Sequence, residues 1–317
     1  MLPLGGLGRE YLDFEFHARG RARVRIVERP GKWMRAEEQA RLLADLRRVV
    51  KSSLATGELE YGVLTGDRER WERCVLTLVY APDDGRPVAF NALTILACEL
   101  RGKPVEVVHL GLVMIDPTYR AKGLSGVLYG LTCFLLFARR QMRPLWVSNV
   151  TQVPAVFGMV GENFADAYPN VGPARRSFDH LALAREIMAK HRGVFGVGPE
   201  AGFDERRFVM TNSYTGGSDN LKKTFEQCAP HRREEYNAAC RRELDYARGD
   251  DFLQLARFEL SAARRYFLRS GSRFSPAFLL AQSAGLFAES SLLPVVHWFT
   301  PTRAMGALRP WREGRDG

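Results

Sequence analysis

The chain has 317 residues, 46% of them apolar and 26% charged, which suits a globular protein with a real core, in one large domain or two smaller ones. The net charge is +10, and only seven of the 46 basic residues are lysine, so arginine carries it; a solvated surface and an attraction to acidic partners both fit. Five widely spaced cysteines without a CxxC pair argue against a disulfide framework and a zinc site and for a reducing, cytoplasmic setting, and no signal-peptide core or uninterrupted apolar run of ~18 residues is present.

Residues 1–21 read as a poorly specified lead-in. Ala22 to Glu28 alternates as a half-buried strand that Pro30-Gly31 ends. Met34 to Ser53 carries Leu42, Leu43, Leu46, Val49 and Val50 at helical spacing, an amphipathic helix, and a short helical piece falls near Asp67 to Arg73. Cys74–Tyr80, Pro87–Leu100 and Val105–Ile115 read as three strands joined by Asp-Gly and Gly-Lys-Pro turns, an antiparallel meander. Asp116-Pro117 breaks the third strand. A basic glycine turn, Arg120 to Gly126, leads into an apolar helix, Val127 to Phe137. The strand Arg143–Asn149 follows, so a helix joins two parallel strands. Pro154 to Phe164 is a further helix with proline in its first turn.

Beyond Tyr168 the pattern loosens. The expectations are a helix over His180–His191, a glycine-rich loop over 193–204, a short strand over Arg206–Met210, a loop at Tyr214–Asp219, and charged helices over Thr224–Ala247 and Asp251–Leu268. An apolar helix over Ser275–Leu286, a buried strand over Leu292–Phe299 and a basic tail over 301–317 complete the chain.

A strand feeding a basic glycine turn at a helix start is a ready anion site, because the first helical turn carries unpaired N–H groups and the positive end of the dipole. The turn reads Arg120-Ala-Lys-Gly-Leu-Ser125 after Asp116-Pro-Thr-Tyr119. With the element order strand, helix, meander, turn, helix, strand, helix, it resembles the GNAT superfamily of N-acetyltransferases, whose signature is Arg/Gln-x-x-Gly-x-Gly/Ala. It departs at Ser125, still a small residue. The later family motif falls on Gln152-x-x-Ala155-x-x-Gly158-Met159-x-x-x-Asn163-Phe164, with spacing and two anchors kept. The resemblance covers roughly 22–165.

The resemblance implies an α/β (α+β) fold: a mixed, mostly antiparallel twisted sheet with flanking helices over 22–168. Beyond it, the residue pattern alone suggests a helical extension or insertion over 169–300 in which the apolar run 292–299 completes the sheet. It implies acyl-coenzyme A as cofactor, with no metal. Main-chain groups of Val113, Met114 and Ile115 would meet the pantetheine arm, Arg120, Ala121, Lys122, Gly123, Leu124 and Ser125 the pyrophosphate, and Gln152 would lie beside them. His109, on the strand before the turn, is the expected base, with Glu106 and Glu99 behind it; a hydrogen-bonded core histidine is the competing reading. The family's usual acid, a tyrosine, falls on Met159, which leaves Ser148, Asn149, Thr151 or a water as substitutes, or thiolate release without an acid. The function expected is transfer of an acetyl or other acyl group to an amine acceptor by direct attack. Two alternatives stay open: a longer acyl chain delivered by an acidic acyl carrier protein, and a binding protein without turnover. The extra half would build an acceptor pocket, an acyl tunnel or a homodimer interface. No aromatic-basic motif supports nucleic-acid binding.

Overall fold

The computed structural model describes residues 10–17, 22–54, 59, 62–120, 122–173, 175–270 and 284. It is a mixed α/β protein built on one open, mostly antiparallel sheet. The first five strands are neighbours in chain order: β1 (Asp13–His17), β2 (Arg23–Glu28), β3 (Cys74–Tyr80), β4 (Pro87–Leu100) and β5 (Lys103–His109). β6 (Val113–Ile115) pairs with β4. β7 (Leu145–Thr151) then pairs in parallel with β5. β8 (Ala165–Tyr168) and β11 (Asp251–Phe258) pair antiparallel, β11 also pairs antiparallel with β7, and β10 (Val209–Thr211) and β9 (Gly202–Asp204) follow at that edge.

The expected lead-in holds β1, antiparallel to β2, with Arg25 tying Asp13 at 3.1 Å and Glu38 at 2.6 Å. The helix Ala36–Ser53 buries Leu42, Leu46, Val49 and Val50 against Leu76, Leu78 and Phe90. Spacings of four, three and one residues put these on one helix face, and each such side chain contributes about 1.5–3 kcal/mol by leaving water. Across the sheet, a helical run from Gly126 to Arg139 buries Leu128, Leu131, Leu135 and Leu136 against Val24, Val75 and Val108. Its first six residues are wound as a wide π-type turn. Asn91 explains this: its buried amide donates to the Leu128 carbonyl, diverting that carbonyl from the ordinary helical ladder.

Gly130 belongs to the same turn, and a Cβ there would lie 2.2 Å from the Tyr266 ring, whose hydroxyl donates to the Gly126 carbonyl at 3.0 Å. Gly130→Ala should therefore cost about 1–3 kcal/mol in denaturant unfolding. Most of that loss should vanish in a Tyr266→Ala background, the mark of two residues in contact.

Three expectations need correction. Asp251–Phe258 is a strand, not the start of a charged helix; only Leu260–Ser270 is helical. β11 is covered on both faces, so its apolar residues do not alternate and the run mimics a helix stripe. The extension over 169–300 is thus not simply helical, because it supplies β9, β10 and β11. The helix expected over Thr224–Ala247 is confined to Glu234–Glu243; Pro230 and the turn closed by Gly249 bound the shorter segment. The strand expected over Val105–Ile115 breaks at Leu110–Leu112. The proposed strand 292–299, the helix 275–286 and the tail 301–317 lie outside the described residues. No described helix is long and apolar enough to cross a membrane.

Candidate functional site

The break between β5 and β6 makes the site. β5 and β7 run together through Val107, Val108 and His109, opposite Trp146, Val147 and Ser148. One more bond follows, Leu110 N–H to the Ser148 carbonyl at 2.7 Å. Then the two strands part. β6 turns to β4, where the Ala92 N–H donates to the Leu112 carbonyl at 2.9 Å and the Asp116 N–H to the Val88 carbonyl at 2.8 Å. In an antiparallel ladder, alternate residues bond the same neighbour. Leu112, Met114 and Asp116 therefore spend their main-chain groups on β4, while Val113 and Ile115 turn theirs away from it, into the gap beside β7.

The gap opens into a cavity of about 720 Å³, within the range of small-molecule sites. The sequence-derived residues His109, Val113, Met114, Ile115, Arg120, Ser125, Asn149 and Gln152 line it. Ser148, Lys122, Gly123 and Leu124 do not, and Ala121 lies outside the described residues. The turn at its mouth is pinned by Asp116, whose Oδ1 accepts from the Thr118 N–H at 2.9 Å and the Thr118 hydroxyl at 2.6 Å while Arg86 meets Oδ2 at 2.8 Å. The Thr118 hydroxyl and the guanidinium hold that carboxyl well below the usual range. Gly123 follows at φ 74°, a conformation that glycine adopts without strain. Arg120 is exposed, its Nε 3.4 Å from the Ile115 carbonyl, and the Lys122 ammonium sits 4.1 Å from the centre of the Tyr119 ring.

His109 lies at the apex of the parting strands. Its Nδ1 is 3.0 Å from Ser148 Oγ, and its ring packs 4.6 Å from that of Phe195. Burial pushes its pKa down to about 3, so it is neutral at pH 7. The Asn149 amide donates to Gln254 Oε1 at 3.1 Å, and Gln254 in turn donates to the carbonyls of Phe157 and Pro169. That bond takes one of the two N–H donors of the Asn149 amide. Met159 packs against the main core.

A second cluster comes from elements that carried no motif. Asp251 opens β11. The register Phe252↔Thr151 and Leu253↔Val150 sets Asp251 opposite Gln152, on the sheet face that also carries Ser148 and, through Ser148, His109. Tyr214 joins the two. Gln152 Nε2 donates to the Tyr214 hydroxyl, which donates to Asp251 Oδ1 at 3.1 Å. Gln152 Nε2 also reaches the Leu221 carbonyl at 3.1 Å, and the Tyr246 hydroxyl donates to the Gln152 main-chain carbonyl at 2.7 Å. Burial pushes the Asp251 carboxyl up to about 7, against the Tyr214 hydrogen bond and the nearby Ser213 hydroxyl. Asp251, Tyr214 and Ser213 all line the cavity. Among the described residues no cluster of three His, Cys, Asp or Glu side chains could hold a metal ion.

No family model and no curated protein matches the chain. Among solved structures, a chain in "The crystal structure of KacTA-DNA complex" matches at 18% identity and a TM-score of 0.23, over 27% of this chain and 58% of that one. A likeness of that size and TM-score carries no weight for fold or function.

Proposed function

We propose that this protein is an acyltransferase that moves an acyl group from acyl-coenzyme A to an amine by direct attack. The observation that carries the reading is the parting of β6 from β7 after the His109–Ser148 contact, with the main chain of Val113 and Ile115 turned into the gap. An extended amide chain needs donors and acceptors at strand spacing, and such an edge supplies them. The Arg120–Ser125 turn, leading into the helical run from Gly126, stands at the mouth, where phosphates gain from N–H groups and positive charge.

Direct attack needs a free lone pair on nitrogen and a polarised thioester carbonyl. His109 is neutral and buried at the apex, so it fits hydrogen bonding to the acyl group better than it fits proton removal near pH 7. The carboxyl of Asp251, shifted towards neutral pH, fits a base better.

Acetyl-coenzyme A should protect the chain against heat. At a hundred times its Kd, a ligand that binds only the folded state adds about 2.7 kcal/mol, readable as a clear rise in Tm. Adenosine triphosphate at the same concentration should give a smaller rise, because it has phosphates but no pantetheine. Equal rises from the two, or none from acetyl-coenzyme A, would remove the proposal.

A further inference from the structure

Asp251 is a buried carboxylate without a cation. It is 2% exposed and accepts from the neutral Tyr214 hydroxyl, while the nearby Ser213 hydroxyl donates to the Met210 carbonyl; no arginine, lysine or histidine among the described residues pairs with it. One position across the sheet register, Gln152 is equally buried, and its Oε1 has no hydrogen-bond partner among the described residues. Both side chains bond the same tyrosine hydroxyl and both line the cavity. A buried acceptor left unsatisfied costs about 1–3 kcal/mol, and an unpaired buried charge costs more. Two such acceptors side by side suit a group with several N–H donors and a positive charge. Val153, Val156, Val194, Phe195 and Val197 line the same cavity, as do the polar Ser218, Asn220, Lys223 and Gln227.

We infer that Asp251 and Gln152 form the acceptor subsite, which takes the ammonium of a primary amine carried on an apolar body. This rests on the acyltransferase reading and names its acceptor class. The subsite selects cationic amines against neutral nucleophiles, since only the former neutralise Asp251 while donating to Gln152 Oε1. It also balances the chemistry. The bound ammonium gives one proton to the Asp251 carboxylate. The freed lone pair forms the C–N bond at the thioester carbonyl, the C–S bond breaks with its electron pair on sulfur, and the second N–H proton ends on that sulfur as the thiol. Tyr214 is a positioning residue here, fixing both acceptors through one hydroxyl.

The test compares phenethylamine with its neutral counterpart 2-phenylethanol by calorimetric titration of the full chain at pH 8. The amine should bind at least tenfold more tightly. Asp251→Asn should bring the two to similar affinity while acetyl-coenzyme A affinity stays within about threefold of wild type, showing an intact fold. Equal binding of amine and alcohol by the wild-type chain overturns the subsite, as does a failure of the amine to bind; neither result needs a variant. An Asp251→Asn chain that still prefers the amine overturns it as well. If acetyl-coenzyme A gives no protection but the amine preference and its loss are seen, the acyltransferase reading falls and the amine site stands.

Discussion

Asp251→Asn should make the empty protein more stable at pH 8 and nearly abolish turnover. The first half follows from linkage. The Asp251 carboxyl is raised from an ordinary value of 3.8 to about 7 by burial. A group with a raised folded-state pKa binds its proton more tightly in the folded state, so the stability that goes with the protonated form is complete below about pH 4 and is lost as pH rises through about 7. The loss is about 1.4 kcal/mol for each pH unit between those limits, about 4 kcal/mol in all. The groups facing Asp251 do not reverse this sign. Tyr214 donates to it, the Asp250 carboxylate next to it raises its pKa further, and Cys228 and Tyr246 nearby are themselves pushed up. Asp250 is tied to Arg248 at 2.7 Å and so keeps its own counter-charge. An asparagine keeps an acceptor for Tyr214 and has no charge to desolvate. Urea titrations from pH 4 to pH 8 should show wild-type stability falling relative to the variant across that window, with the variant ahead at pH 8. Parallel curves would mean that Asp251 does not titrate there. For turnover, loss of the base should cost about 10²–10⁴ in kcat/KM. The acid limb of the wild-type pH profile, near 7, should disappear with it. A profile that keeps that limb in the variant assigns it to another group.

The residues that make this prediction possible are those the sequence showed least clearly. The strand-helix-meander order, the parallel crossover and the turn at Arg120–Ser125 are visible because each rests on local signals: alternation, a helical stripe, Asp-Pro and Gly punctuation. Asp251 has no such signal. It opens a strand buried on both faces, where alternation fails, and its run of Phe252, Leu255 and Phe258 passes for a helix stripe. Tyr214 reaches the site from a loop 62 residues beyond its partner Gln152. Only the insertion of β11 between β7 and β10 brings these groups together, and that pairing is a long-range fact with no local mark. His109 is visible as a candidate from its place before the turn. Its neutrality is not, because that depends on the Phe195 ring and on the depth of the apex.

Gly111→Val should close the slot without unfolding the sheet. Gly111 sits between β5 and β6, at the point where the chain leaves β7 for β4. A Cβ there would lie 2.7 Å from the Ala92 carbonyl oxygen and 3.3 Å from the His109 ring. The first distance is below any ordinary contact, and the atom met is backbone of a buried strand, so the chain at 110–112 must move rather than a side chain rotate. The Ala92 N–H bond to the Leu112 carbonyl lies next to that clash and should weaken. The direct cost should be about 1–3 kcal/mol, as for other overpacked sites. The larger effect should fall on binding. β6 holds only three residues, Val113–Ile115, and their two slot-facing positions depend on the register that starts at Leu112. A displacement of about 1 Å misaligns both sets of main-chain groups, and misplacement of that size is known to cost about a hundredfold in rate when it disturbs a bound substrate. Acetyl-coenzyme A affinity should therefore fall by more than tenfold, while phenethylamine, held by Asp251 at the start of β11 and Gln152 just past the end of β7, should keep an affinity within about threefold. The contrast separates the two halves of the cavity. If both ligands weaken together, Gly111 supports the sheet as a whole and not the slot; if acetyl-coenzyme A is unaffected, the donor does not lie along Val113 and Ile115.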